Sequence, residues 1–319
     1  MGVSKLNVSD NLLRIPFFRY AVITVSLPAI SLAYCFWSAY LFRSDEVNDT
    51  DCNVTNTIPS ASAVTGIRPQ AYVWRICIGL HTTPRFFVGI MYYNYYNKSL
   101  PHIKQNLQGL FRFLMRLCFF LYTVECSCLQ IVSCISNKEN YPLHEKIFIG
   151  FMVASIAHMV FGTILYRWSK YGPMTQLEAK SYFWKKFHLL WISLSTVGLL
   201  WFFFQHRVHC VPGAFSYFSV FEYMIAYANM GYHVTGYFDF YDKYLIAGSV
   251  SQPVTNGSSI LSAESSQPVT NGSSILSEES SGDSALQSNM SNGTSPSPTT
   301  NGTPSLRSRI PVGNKNKAH

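Results

Sequence analysis

The chain has 319 residues, 48% hydrophobic, 15% aromatic and 13% charged, where a soluble globular domain carries about 25% charged residues. Net charge is +8, but the basic residues form no dense stripe of the kind nucleic-acid binding needs, and eight cysteines without a CxxC pair make neither a disulfide scaffold nor a zinc ribbon. A soluble enzyme, a nucleic-acid binder and a small secreted module are excluded, and the expected fold class is an all-α polytopic membrane protein.

A hydrocarbon core about 30 Å thick takes about 20 mostly apolar helical residues to cross, and six runs of that kind follow in chain order. The first, Tyr20 to Phe42, holds no charge between Arg19 and Arg43 and reads as an uncleaved signal anchor with Pro28 inside it. The second, Ala71 to Tyr96, carries Arg75, His81 and Arg85 and falls below a strict hydropathy cut. Leu110 to Ile135 contains Glu125, Ile147 to Tyr166 contains His158, and the fifth run is Phe187 to Phe204. The sixth, Ala214 to Phe238, contains Glu222, Asn229 and His233. A cytosolic N-terminus (1–19) thus precedes a bundle of about six spans (20–241). From 248 to 319 Ser, Thr, Asn, Gly and Pro dominate, and Ser251 to Ser265 is nearly repeated by Ser266 to Ser280, which reads as a disordered C-terminal tail.

Short loops rich in Lys and Arg stay cytosolic. Six spans place twelve such residues on the side of both termini and five on the other, counting Lys180, Lys185 and Lys186 among the cytosolic loop cations. Both termini are therefore expected in the cytosol. The first lumenal loop then holds Cys52 and the sequon Asn53-Val54-Thr55, and the last holds Cys210. One cysteine in each of two loops facing an oxidising compartment makes Cys52 and Cys210 a candidate disulfide, and Asn53 a candidate glycosylation site. The other six cysteines fall within spans and read as buried apolar residues.

Ionisable groups at membrane depth are costly, so each is a candidate functional residue that should have a partner. Counted at 1.5 Å per residue from the ends of their runs, His81, Arg85, Glu125, His158 and Glu222 come out about 9–16 Å below the lumenal side, an apparent single layer fed by four helices. Glu222, Asn229 and His233, and likewise Trp74, His81 and Arg85, each share a helical face. One Arg facing two Glu leaves a carboxylate that titrates easily and suits proton transfer. An ion pair with hydrogen-bonded histidines that only fixes helix packing is the competing reading. Three histidines with carboxylates can hold zinc, but no HExxH or similar spacing supports a metal, and no nucleophile motif or cofactor motif is present.

The stretch Pro69 to Phe86, PQAYVWRICIGLHTTPRF, closely resembles the signature of the post-GPI-attachment-to-proteins factor 2 family, within the wider Frag1/DRAM/Sfk1 group. Cys52, His144-Glu145, His158-Met159, Lys180-Ser181-Tyr182, Cys210, Glu222-Tyr223 and Asn229 to Phe240 fall in the same order, covering about Phe17 to Lys243. The resemblance implies a Golgi or endoplasmic reticulum membrane protein. It would act in lipid remodelling of glycosylphosphatidylinositol (GPI) anchors, where an unsaturated chain is removed and a saturated one is put back. The partners implied are lyso-GPI, GPI-anchored proteins and membrane lipids, with the fatty acyl donor left open. Whether such proteins catalyse the acylation, present lyso-GPI to a separate acyltransferase, or move lipid is also left open. For an acyltransferase, His81 is the expected general base, with Glu222 or Glu125 orienting it and His158 beside them. Arg75 and Arg85 are expected to hold phosphate or oxyanion, with Asn229 and His233 also binding substrate. His144 and His206 are alternative bases.

Overall fold

Long apolar runs, closed by capping residues at their wet ends, set the architecture. In the computed structural model, which describes residues 8–50 and 52–250, the long helices are α1 (Phe17–Phe42), α4 (Gln70–Ser99), α5 (Gln108–Cys134), α6 (Tyr141–Trp168), α7 (Gln176–His209) and α8 (Ala214–Val234). The short helices α2 (Ser44–Asn48) and α3 (Ala61–Gly66) join α1 to α4, and α9 (Gly236–Asp239) follows α8. Asn140 caps α6 through Leu143 N–H, and Thr175 with Glu178 forms a reciprocal capping box that starts α7. Such caps satisfy the free N–H groups of a first turn.

The molecule is an all-α polytopic membrane protein with a bundle of about six spans. On length and composition alone, α1, α5, α6 and α7 can cross a membrane. The remaining two, α4 and α8, are long enough as well but are more dilute in strongly apolar residues. Outward, the bundle presents large apolar side chains: Ile30 and Val197 are each 68% exposed, the surface expected of a wall that meets lipid.

The departure from pure helix is a small antiparallel pair, β1 (Val8–Pro16) with β2 (Tyr244–Val250). Neither strand was expected, and β2 runs through residues 248–250, which had been read as the start of the tail. The rest of that tail, with its repeat and its sequons, lies outside the described residues. The pair brackets one end of the bundle, where Phe17 N–H donates to Lys243 C=O; this is called the sheet end. At the opposite end Cys52 and Cys210 form a disulfide with Cα atoms 5.5 Å apart; this is the disulfide end. Among the other cysteines, Cys35, Cys118 and Cys126 are buried and Cys77 and Cys128 half-buried. Cys134, at the last residue of α5, is exposed, a correction to its expected burial.

The packing is uneven. Along its length α7 lies against α8, but it meets α6 only sparsely. A gap is left between α6 and α7, lined by Tyr141 and Phe148 on one and by Leu200 and Phe203 on the other.

Candidate functional site: a buried polar network and the cavities beside it

The Glu125 carboxylate on α5 is fully buried and gathers four side chains from three other helices. Arg85 Nη2 on α4 donates to Oε1 at 2.7 Å, Asn229 Nδ2 on α8 donates to the same oxygen at 2.9 Å, and His158 Nδ1 on α6 lies 2.9 Å from Oε2. His233 Nε2 on α8 stands between cation and anion, 2.5 Å from Arg85 Nη2 and 2.8 Å from Glu125 Oε1. The His158 and His233 rings stack with centroids 5.6 Å apart. Arg85 also lies over the Tyr122 ring at 5.3 Å, and Tyr122 O–H donates to the Arg85 carbonyl at 2.8 Å. Such an ion pair is costly in a low-dielectric interior unless further polar contacts support it; Asn229, itself donating to Ser155, and the two histidines supply them at the carboxylate, while Arg85 Nε makes no hydrogen bond among the described residues.

Glu125, His158 and His233 present donor atoms within 4.8 Å of one another, a spacing that can suit a metal ion. Here Arg85 already takes the cation's place, touching two of the three groups. Its charge cancels that of the carboxylate, so the cluster fits a guanidinium rather than a metal.

Three expected placements are corrected. His81 is buried, but neither carboxylate orients it: its Nδ1 meets the Thr24 carbonyl at 2.7 Å, and Arg85 Nη1 lies 3.4 Å from its Nε2. The cause is local. Pro28, four residues beyond Thr24 in α1, has no N–H to give that carbonyl, and His81 supplies the missing donor. With one nitrogen committed and the other facing a guanidinium, His81 offers no free lone pair and is not the expected base. Glu222 does not join Arg85. Its carboxylate accepts from Ala61 N–H at 2.7 Å and Ser62 O–H at 2.8 Å, at the start of α3. The first N–H groups of a helix lack partners and favour negative charge, so Glu222 docks α3 onto α8. Heights counted from the ends of apolar runs misled here, because α6 begins six residues earlier than its run and α3 dips to the level of Glu222.

Arg75, the third, does not share an anion site with Arg85. It sits at the disulfide end, donating to Glu139 at 2.6 Å and to the Ser133 carbonyl at 3.3 Å. The Arg75 guanidinium, and next the Ser136 N–H, hold the Glu139 carboxyl down from 4.5 to about 2. A carboxyl held below its ordinary value adds stability that is complete above about pH 4.5 and fades as pH falls toward about 2. Thermal unfolding in detergent is expected to lose stability across that window in the wild type, and Glu139→Gln to flatten the loss.

One buried ion pair was missed. Lys185 on α7, counted as a cytosolic loop cation, is 2% exposed and donates to Asp239 Oδ2 at 2.7 Å. Tyr92 and Ser181 also donate to Asp239, each at 2.6 Å, and the Tyr166 and Tyr232 rings flank the ammonium. The signal was present as spacing: Ser181, Lys185, Ile192, Ser195 and Leu199 recur at helical period and are all buried, which puts Lys185 on the inward stripe and its neighbour Lys186 outside it.

Three spaces adjoin these groups. A water-sized void of about 30 Å³ lies between the two ion pairs, touched by His158, His233 and Lys185. A cavity of about 100 Å³ toward the disulfide end is lined by polar His81, His144, Glu222 and Asn229, interleaved with apolar Ile78, Phe148 and Ile225 on the same helices. A third, about 160 Å³, occupies the gap between α6 and α7 and shares Ser62, His144, Phe148 and Glu222 with the second. Asn53 is exposed in the disulfide-end loop, next to Cys52.

Residues 16–243 match the family described as Frag1/DRAM/Sfk1/Cwh43P N-terminal domain. A Drosophila melanogaster protein named "Post-GPI attachment to proteins factor 2-like" is 41% identical over 247 residues, covering 77% of this chain and 75% of its own length. "Acyltransferase PGAP2" of Xenopus tropicalis is 35% identical over 246 residues, covering 75% of this chain and 93% of its own. "Post-GPI attachment to proteins factor 2" of Caenorhabditis elegans is 32% identical over 241 residues, covering 75% and 91%. No solved structure matches. With both ion pairs, the disulfide and all three cavities lying inside the matched region, the chain belongs to the Frag1/DRAM/Sfk1 family and sits with its post-GPI attachment to proteins factor 2 members.

Proposed function

We propose that this chain acts in lipid remodelling of GPI anchors, in the step that returns a saturated acyl chain to lyso-GPI within a Golgi membrane. The names of its relatives support the pathway, and "Acyltransferase PGAP2" supports the reaction class. One observation carries the reading to this molecule: the two adjoining cavities at the disulfide end, each lined by polar and apolar side chains together, sit inside the bundle where a lipid headgroup and chain can lie together. The disulfide favours an oxidising compartment on that side. GPI anchors are held in the lumenal leaflet, the side on which this reading puts the cavities. The consequence for the cell follows from chain arithmetic: one acyl chain holds a protein marginally and two hold it stably.

In this reading the Arg85–Glu125 network and the Lys185–Asp239 pair are positioning groups. Their hydrogen bonds are directed at each other, and they hold α4, α5, α6, α7 and α8 around the reaction space. The substrate-binding roles of Arg75, Arg85, Asn229 and His233 then pass to the cavity walls, of which Asn229 is one.

The test is an acylation assay with the purified full-length protein in lipid vesicles, using lyso-GPI and, separately, a phospholipid ester and an acyl-coenzyme A thioester as donors. Product with either donor is expected. No product with both, together with restored surface retention of GPI-anchored proteins when the chain is expressed in deficient cells, would assign it to presenting lyso-GPI to another enzyme.

Topology has its own check. With the disulfide end lumenal and both termini cytosolic, Asn53 is expected to carry a glycan and the tail sequons at Asn256 and Asn301 none. The same loop holds a second sequon, Asn48-Asp49-Thr50, so endoglycosidase treatment should shift wild type and leave the double variant Asn48→Gln with Asn53→Gln unmoved; a glycan that survives both substitutions would place the tail in the lumen.

A further inference from the structure

We infer that the gap between α6 and α7 admits the single chain of a lyso-lipid from the bilayer, and that His144 Nε2 takes the hydroxyl at its head as the general base. This rests on the acyl-transfer reading above and names the residue and route that reading leaves unassigned. His144 lies in the first turn of α6 and is 8% exposed. Its Nδ1 meets the Ile135 carbonyl at 2.6 Å. Ile135 is the C-cap residue of α5, where carbonyls lack helical partners. A carbonyl only accepts, so Nδ1 carries the hydrogen of the neutral ring and Nε2 keeps its lone pair. That Nε2 is buried and has no hydrogen-bond partner, and the residue lines both cavities where they adjoin. A buried acceptor without a donor is costly, and a hydroxyl is the group that would relieve it. By contrast both nitrogens of His81 are engaged, and His158 abuts the water-sized void.

The outer wall of the route is apolar. Phe148, Leu199, Phe203 and Phe218 line the gap, and Leu200 at its rim is 59% exposed toward lipid. Glu222 closes the inner end, held by α3. A chain entering from the side meets these apolar groups together with Asn137, Tyr141 and Glu145, and reaches Ser62, His144 and Glu222 where the two cavities adjoin, a lining that suits a one-chain lipid with a free hydroxyl.

The step balances as follows. The hydroxyl oxygen bonds to the carbonyl carbon of an acyl ester or thioester, and that carbon's bond to its leaving oxygen or sulfur breaks. The hydroxyl proton moves to His144 Nε2 and from there to the leaving group.

Two measurements separate the route from the base. Full-length protein in vesicles is irradiated with lysophosphatidylinositol bearing a mid-chain diazirine, and the labelled peptides are mapped. Label on Phe148–Ile149 or Leu199–Phe203 is expected, reduced at least about fivefold in Leu199→Trp; label confined to other helices, or unchanged in that variant, overturns the route. Acylation by His144→Gln and His144→Ala is expected to fall about 10²-fold or more, while the photolabel persists as proof of fold. Wild-type-like acylation by either His144 variant overturns the base while leaving the function intact. Labelling at the gap with no acylation by wild type leaves the route standing and overturns the base along with catalysis by this chain.

Discussion

Arg85→Ala is expected to destabilise the protein by about 3–5 kcal/mol, the cost of leaving one partner of a buried ion pair uncompensated. The partner is Glu125, whose carboxylate is fully buried and would be left with Asn229 Nδ2 and the two histidine rings. Glu125→Ala strands the guanidinium instead and is expected to cost as much. The pair is neutral as a unit, so Arg85→Met with Glu125→Leu should recover much of the loss, because replacing both members with apolar groups of similar volume is often close to neutral. Thermal unfolding in one detergent, read by fluorescence-detected size exclusion, separates these outcomes. Single variants that melt like wild type would show that the network does not hold the helices.

Lys185→Met is expected to cost about 3 kcal/mol by the same logic, with one difference. Asp239 keeps two hydroxyl donors, from Tyr92 and Ser181, and Lys185 has an acceptor besides the carboxylate, the Thr235 hydroxyl. After Asp239→Asn the ammonium keeps the Thr235 hydroxyl and the flanking Tyr166 and Tyr232 rings, so that variant is expected to be the milder member of the pair, and Lys185→Met with Asp239→Asn milder than the sum of the two. The loss should appear first at the sheet end, since Asp239 ends α9 and Lys185 lies on α7, two helices that pack there. Limited proteolysis near Lys243 should quicken in Lys185→Met before global unfolding; equal protection in variant and wild type would remove this pair from the structural account.

How much of this was legible beforehand depends on what kind of signal each residue leaves. Apolar runs of bilayer length mark spans whatever their partners, and even α4, dilute in apolar residues, could be placed from its run between charged loops. Arg85, Glu125, His158, Asn229 and His233 were legible as a group because an ionisable side chain inside such a run must find a partner. Which partner it finds was not legible. Glu222 and Glu125 looked equivalent by depth, yet a short helix with free N–H groups came to meet Glu222, and no feature of the α3 sequence announces that it dips. His81 looked like a base for want of knowing that Pro28 leaves the Thr24 carbonyl without a donor across the bundle. Lys185 was misread because it stands beside Lys186 in a basic stretch, and only the helical period of its buried neighbours tells the two apart. The small sheet was invisible because its pairing joins residues more than two hundred positions apart.

The most direct measurement is lyso-GPI acylation in vesicles by wild type and by Ala226→Phe. Ala226 lines the cavity under α3 together with His81, His144 and Glu222. The added ring would fill that space while leaving the Arg85–Glu125 and Lys185–Asp239 pairs in place. A fall in acylation of at least about tenfold, equivalent to about 1.4 kcal/mol of transition-state stabilisation, with melting temperature kept, is the predicted result. Full activity in the filled variant would mean that the chemistry happens somewhere else.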